Sequence, residues 1–493
     1  SGKPAAFLRG FRAVYLGLLM NCLILGWVTK AMTSIVATTL GITEYHALLV
    51  CVLFLIPFTG LYVALGGLWG VLWTDLFQFA LKMAIVIGVA WYAVHATGGM
   101  SALLTRLGEM RAAAGPSAGD ATSFFPDFSR SLDGEGLWVL PVLTFLVNIG
   151  VQWWALWYPG AEPGGGGYIA QRIFSAKDER NGLLSVLWFN IAHYALRPWP
   201  WILTALAAIV LYPHLEHPET GYMLIVSNHV PPALRGIVIA GFMAAFMSTI
   251  ATQLNWGASY LVSDFYRRFI KRDGDDKHYI VMSRVATVLL VVASAVISWI
   301  LSDIRSGWQA VLEVGAGTGG VYLLRWYWWR INAWSEISAM MTALFVTIFL
   351  RWRQPFTGSS PVVFAKTALA TAASTTIVWV IVTFITKPEP EKVLLKFYRD
   401  VRPDVAGWKP LARLAPDVPQ THDLARNLFS WVLGCAMVYM TLFGLGYVIF
   451  GAVVKGVVLL VLAGICAWIL NANLARSGWE AEKPDMAPMP LHH

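Results

Sequence analysis

Residues 241–255 read GFMAAFMSTIATQLN, an apolar run of the kind that fills a membrane span, broken by Ser248, Thr249, Thr252 and Asn255. At helical spacing, Ala245, Ser248, Thr249 and Thr252, followed by Asn255 or Trp256, fall on one face. A polar face inside a membrane costs free energy and by default marks a pathway or a site. Two readings of it stand. Small and hydroxyl residues hold helices against one another, and a Ser or Thr hydroxyl can bond back to its own helix. Alternatively, hydroxyl and carbonyl oxygens are hard ligands that suit a small hard cation such as Na⁺, by the logic that gives oxygen shells to Ca²⁺ and Mg²⁺.

The rest of the chain has the same apolar character. Of its 493 residues 57% are hydrophobic and 13% charged, where soluble domains carry roughly 25% charged residues. Long apolar runs of about 20 residues alternate with short polar ones, and the ten-residue alternation of a membrane β-barrel is absent. The composition predicts an all-α polytopic membrane protein. Twelve candidate spans fall near 13–38, 46–66, 71–95, 137–159, 181–212, 233–262, 279–302, 307–328, 333–351, 364–386, 427–451 and 453–474.

The net charge of +8 comes from loops, not from a nucleic-acid face. Arg9 and Arg12, Arg172 to Arg180, Arg267 to Arg272, Arg325 and Arg330, and Lys387 to Arg402 fall on one side in a consistent register. The positive-inside rule makes that side cytoplasmic. Arg106, Arg111, Arg130, Arg235, Arg351 and Arg353 are the exceptions. The four cysteines (Cys22, Cys51, Cys435, Cys466) lie within apolar spans without a C-x-x-C pair, so they read as small hydrophobes, not as a disulfide framework or a zinc site. The segment 97–136 is expected to carry short surface helices. Residues 1–386 read as the main body, 387–426 as a basic, Pro-rich cytoplasmic stretch on anionic lipid, and 427–493 as C-terminal spans and tail.

Other polar groups interrupt the spans. Asp75 and Gln78 lie in GGLWGVLWTDLFQF (66–79), where Asp75 either pairs with a loop cation or lines an ion exit. NIGVQWWALWYPG (148–160) holds Gln152, Trp157 and Tyr158, which either contact a small polar ligand or belong to the interfacial aromatic belt. FNIAHYALRPWPW (189–201) sets Asn190, His193 and Arg197 about one turn apart ahead of two prolines, which favours a kink lining a cavity. WQAVLEVGAGTGGVYLL (308–324) is short and glycine-interrupted, with Gln309 and Glu313 inside it, the best sequence pointer to a transporter site. PGAEPGGGGY (159–168) lacks the Lys-Ser/Thr of a phosphate loop. No H-E-x-x-H, paired aspartate or serine-nucleophile motif is present, so an enzyme is not expected.

Three segments, GGLWGVLWTDLFQF (66–79), LWYPG with YIAQRIFSAKDE (156–179) and AAFMSTIATQLNWGASYLVSDFY (244–266), resemble the sodium/solute symporter family of sodium/glucose and sodium/proline cotransporters. The likeness runs to about residue 350. It implies a LeuT-type, APC-like fold of two inverted repeats. The first span then corresponds to the third core helix and the sixth to the eighth. The resemblance implies that Ala245 offers its carbonyl, and Ser248 and Thr249 their hydroxyls, to Na⁺. It also implies that Asp75 lies on the ion path, that Tyr158 is an inner-gate aromatic, and that His193 and Gln309 fall near solute-contact positions. The remaining sodium ligands are expected from an N-terminal helical segment ahead of Ser1 or from a partner chain.

Four extra residues after Tyr158 depart from the family pattern. His193 and Arg197 depart from sugar carriers and point to an anionic solute. The resulting expectation is a Na⁺-coupled symporter in the inner (plasma) membrane. It would import a sugar, uronate, sialic acid or other carboxylate by alternating access, with solute and lipid bilayer as partners. The alternatives are a solute-binding sensor or scaffold derived from a transporter, and a proton-coupled variant.

Overall fold

The computed structural model describes residues 3–151, 173, 175–215, 217–301 and 304–475, with the side chains of all but 60–75 and 219. Among these there are helices, turns and loops and no strand. In chain order the helices are α1 (Lys3–Leu40), α2 (Glu44–Val50), α3 (Ile56–Ala96), α4 (Met100–Ala114), α5 (Val142–Gly150), α6 (Glu179–Leu211), α7 (Gly221–His229) and α8 (Pro232–Ile270). They continue as α9 (Asp276–Ile300), α10 (Ile304–Tyr327), α11 (Ala333–Arg353), α12 (Ser360–Ile385), α13 (Glu391–Val401), α14 (Lys409–Leu414), α15 (Leu424–Ile449) and α16 (Val453–Ala475). The segment 97–136 holds one surface helix, α4.

Local chemistry sets the helix ends. Thr43, Asp178 and Asp275 accept from backbone N–H groups of the first turns that follow them, satisfying donors a helix leaves open. Asn332 and Ser335 form a reciprocal capping box at the start of α11. Gly41, at φ +63°, ends α1 in the left-handed conformation that glycine adopts without strain. Three long helices change winding inside their length, with π-turns at Tyr15–Met20 in α1, Ile191–Leu196 in α6 and Tyr260–Ile270 in α8.

Among the described residues nine helices are long and apolar enough to cross a membrane: α1, the Leu76–Ala96 part of α3, α6, α8, α9, α11, α12, α15 and α16. The other three expected spans take different forms. Around 46–66 the helix runs on from α2 through a π-turn at Cys51–Leu55 into α3. Pro57 lies in the first turn of α3, where its missing N–H is tolerated. Of 137–159 the described part is α5 and its flanks. The span expected at 307–328 is present as α10, but its glycines and charged groups lower its hydropathy. Eleven of its residues are buried, so it is enclosed by protein and needs little lipid-facing apolar surface.

By its internal contacts the chain falls into two units, Ser1–Gly166 with Ile202–Val401, and Gly167–Trp201 with Arg402–His493. In the first unit α1 is central. Cys22, Leu25, Met32 and Val36 on one side of it pack with Phe246, Ile250 and Leu254 of α8 and Leu290 of α9. Tyr15, Leu16, Met20 and Ile24 pack with Val311, Val314, Val321 and Tyr322 of α10, Met340 of α11 and Trp379 of α12. On α13, Leu394 and Tyr398 are buried, and Phe397 meets Trp326 with ring centroids 5.8 Å apart. In the second unit α15 and α16 pack together, and Asn473 of α16 donates to Ser430 Oγ at 2.6 Å. Trp199 Nε1 donates to Leu442 O at 3.1 Å.

Candidate functional site

The polar face of α8 is directed by its own backbone. Thr249 Oγ1 donates to Ala245 O at 3.2 Å and Thr252 Oγ1 donates to Ser248 O at 3.0 Å. Each of these threonine hydroxyls therefore spends its hydrogen on the preceding turn and keeps its oxygen lone pairs for an electropositive partner. Ala245, Ser248, Thr249 and Thr252 are half-buried, while Asn255 is exposed. The oxygen donors are a hydroxyl-and-carbonyl set, suited to a hard monovalent cation. Among the described residues no group of three or more His, Cys, Asp and Glu side chains could hold a metal ion.

One turn beyond Thr249 the helix meets α1 through a polar contact that the periodicity argument missed. Asn21 Nδ2 donates to Gln253 O at 2.9 Å and, at 3.4 Å, to Gly17 O on its own helix. Asn21 is 0% exposed and Gln253 is 3% exposed. A Cβ on Gly257 would overlap Asn21 Nδ2 and stand 2.9 Å from Gly17 O, so the approach requires glycine there. The sequence signal was the lone amide in the apolar run of α1.

On α10, Gln309 is half-buried and Glu313 is 4% exposed. Glu313 does not stand alone: Arg351 of α11 donates from Nε to its Oε2 at 2.6 Å. This contact accounts for one of the arginines that broke the charge pattern of the loops. At the opposite end of the pair, Arg325 of α10 lies 3.3 Å from Glu336 of α11, and Arg12 of α1 lies 3.8 Å from the same carboxylate. The Arg12 and Arg325 guanidiniums also lie over the Tyr322 ring, at 5.7 Å and 5.6 Å from its centroid respectively.

His193 and Arg197 belong to the second unit. Arg197 Nη1 lies 3.0 Å from His193 Nδ1. A guanidinium only donates, so Nδ1 is the acceptor and a neutral imidazole carries its proton on Nε2. The His193 ring stacks on Phe189 with centroids 5.0 Å apart. The structure thus brings His193 and Arg197 together, and separately Ala245, Ser248 and Thr249. Gln152, Trp157 and Tyr158 lie outside the described residues, as does the side chain of Asp75 on α3.

Comparison with known proteins bears on this arrangement. The high-affinity proline transporter PutP of Bacillus subtilis is 27% identical over 293 residues, covering 57% of this chain and 54% of that protein. The sodium/glucose cotransporter of Vibrio parahaemolyticus is 25% identical over 336 residues, covering 64% of this chain and 58% of that protein. The chain therefore spans little more than half the length of the curated relatives it matches. A solved structure of a Na⁺-coupled sialic acid symporter in its substrate-bound outward-open state aligns at a TM-score of 0.57 and 17% identity, covering 78% of this chain and 75% of that one. That likeness shows the fold, which is LeuT-type as the resemblance implied. These relatives are transporters rather than enzymes. The family model described as "Sodium:solute symporter family" matches residues 14–343, and the chain belongs to that family.

Proposed function

We propose that this protein couples the inward movement of Na⁺ to import of a small polar organic solute, by alternating access in the inner (plasma) membrane. Ala245 O and the Ser248 and Thr249 hydroxyls supply one side of the cation site. The observation that carries this reading is the family match over residues 14–343, with which a Thr249 hydroxyl whose hydrogen goes to Ala245 O is compatible, as it also is with helix packing. The family and the Na⁺-coupled fold neighbour support the same cation.

Coupling follows from linkage. A cation and a solute that both favour the outward-open arrangement raise each other's affinity by the same factor. Each charge carried inward gains about 2.3 kcal/mol per 100 mV of membrane potential. Asp75 is proposed for the ion path, Gln152, Trp157, Tyr158, Gln309 and Glu313 for solute contact within the first unit, and His193 and Arg197 for solute contact within the second. The His193–Arg197 pair favours a solute carrying a carboxylate, a uronate, sialic acid or similar compound, over a neutral sugar. Within the first unit, Glu313 acts through the Arg351 guanidinium it holds.

The test is uptake into proteoliposomes of labelled glucose, glucuronate, sialic acid and proline, with an inward gradient of sodium or of choline. Uptake of at least one solute is expected only with sodium. Equal uptake from choline buffer would remove the sodium assignment, and a response to a pH gradient alone would replace it with proton coupling.

A further inference from the structure

The amide of Asn21 is buried in the crossing of α1 and α8, and nothing in the proposed transport function has used it. Gln253 O, which it reaches at 2.9 Å, lies inside the regular α-helical part of α8, Pro232–Ser259. That carbonyl already takes the helical bond from the following turn, so it does not need Asn21 for satisfaction. Asn21 Oδ1 and Gln253 Oε1 are buried without a hydrogen-bond partner among the described residues. An apolar side chain here would remove the unpaired buried Asn21 Oδ1. Asn21 is thus a poor choice for stability alone.

Its placement gives it another use. Gln253 is about one helical turn, roughly 5–6 Å, beyond Thr249 along a rigid rod. The close approach at Gly257 leaves α1 and α8 no slack at this level. Beyond it, α8 changes winding at Tyr260–Ile270, so that end does not fix the register of the Ala245–Thr249 turn. We propose that Asn21 is a positioning residue for the cation site: its bond to Gln253 O holds the Ala245–Thr249 turn at a set height against α1. The inference rests on the sodium reading of that turn.

The test uses the purified full chain and Na⁺ itself as the probe, read as sodium-dependent thermal stabilisation against choline at equal ionic strength. Asn21→Leu is expected to raise the half-saturating sodium concentration about three- to tenfold, the effect of one modest hydrogen bond, with any fall in unfolding temperature in choline compared against the packing control below. Gly257→Ala, whose methyl displaces the amide, is expected to shift it in the same direction. Gly26→Ala is the packing control, since its Cβ would press on Ile297 of α9 at 2.6 Å and loosen α1 away from the site. It should lower stability and leave the sodium midpoint where it was.

An unaltered sodium midpoint in Asn21→Leu overturns the positioning role and leaves the sodium reading intact. No sodium response in the unsubstituted protein overturns both. If Asn21→Leu fails to fold, Gly257→Ala against Gly26→Ala decides, and equal shifts in those two would reduce Asn21 to packing.

Discussion

Arg351 donates to Glu313 at 2.6 Å across α10 and α11, and only 5% of the Glu313 side chain is exposed. A carboxylate this enclosed is tolerable because a guanidinium accompanies it. Removing one partner leaves an uncompensated buried charge, whereas removing both leaves a cavity or an apolar contact. Arg351→Ala is therefore expected to destabilise the protein by about 2–3 kcal/mol, below the usual range for buried pairs because the Arg351 side chain is 38% exposed and screened. Glu313→Gln combined with Arg351→Ala should recover most of the loss. Thermal unfolding in detergent checks this, and a double variant as unstable as Arg351→Ala alone would show that the pair is incidental.

At the other end of the same helices, Arg12 and Arg325 share Glu336. Either guanidinium can serve when the other is removed. Arg12→Ala and Arg325→Ala are each expected to be mild. Together they should cost more than their sum by about 1–3 kcal/mol, as contacting residues in one network do. A double-mutant cycle in thermal unfolding measures the excess, and an additive result means the carboxylate is not shared.

The hydroxyl pair on α8 gives a sharper outcome. Ser248→Ala with Thr249→Ala is expected to raise the sodium half-saturation of uptake by roughly tenfold or more, equivalent to about 1.4 kcal/mol of lost cation binding. Thr249→Ser, which keeps the oxygen, should stay near the unsubstituted value. If Thr249→Val also stays there, the hydroxyl belongs to packing.

Asp178 caps α6 at its Glu179 end. The Asn181 backbone N–H held against its carboxylate keeps that group below the ordinary carboxylate range. A carboxylate depressed in the folded state contributes stability that is fully present above its unfolded pKa and is lost as pH falls through the lower, folded value. Hydrogen exchange at the Asn181 amide should therefore show protection from opening that holds at neutral pH and fails only in that acid range. Asp178→Asn should make it insensitive to pH. Protection that changes instead around pH 6–7 would point to a histidine.

Much of the fold was legible because membrane burial writes itself as long apolar runs, and α8 announced its polar face by spacing alone. What the sequence could not show were partners fixed only by the tertiary arrangement. Glu313 reads from the sequence as a lone carboxylate because Arg351, far along the chain, has no periodic relation to it. Asn21 has no partner side chain to covary in pattern, since it bonds a backbone carbonyl, and every residue has one. The hydropathy of α10 is low for the opposite reason. A helix surrounded by other helices is relieved of the composition that lipid contact demands, so its glycines and charges disguise how deep it lies.

The two ion pairs that join α10 to α11 have opposite orientation, with the acid on α10 at Glu313 and on α11 at Glu336. Each pair is electrically neutral in itself. If this hairpin tilts during the cycle, the two pairs displace almost no net charge through the membrane field and do almost no electrical work at about 2.3 kcal/mol per charge per 100 mV, and the remaining charges, Arg305, Arg330 and Arg353, lie at the helix ends. The voltage dependence of the cycle would then belong to the transported cation. Pre-steady-state currents should vanish when sodium is replaced by choline, and a charge movement that persists in choline would show that the helices themselves sense voltage.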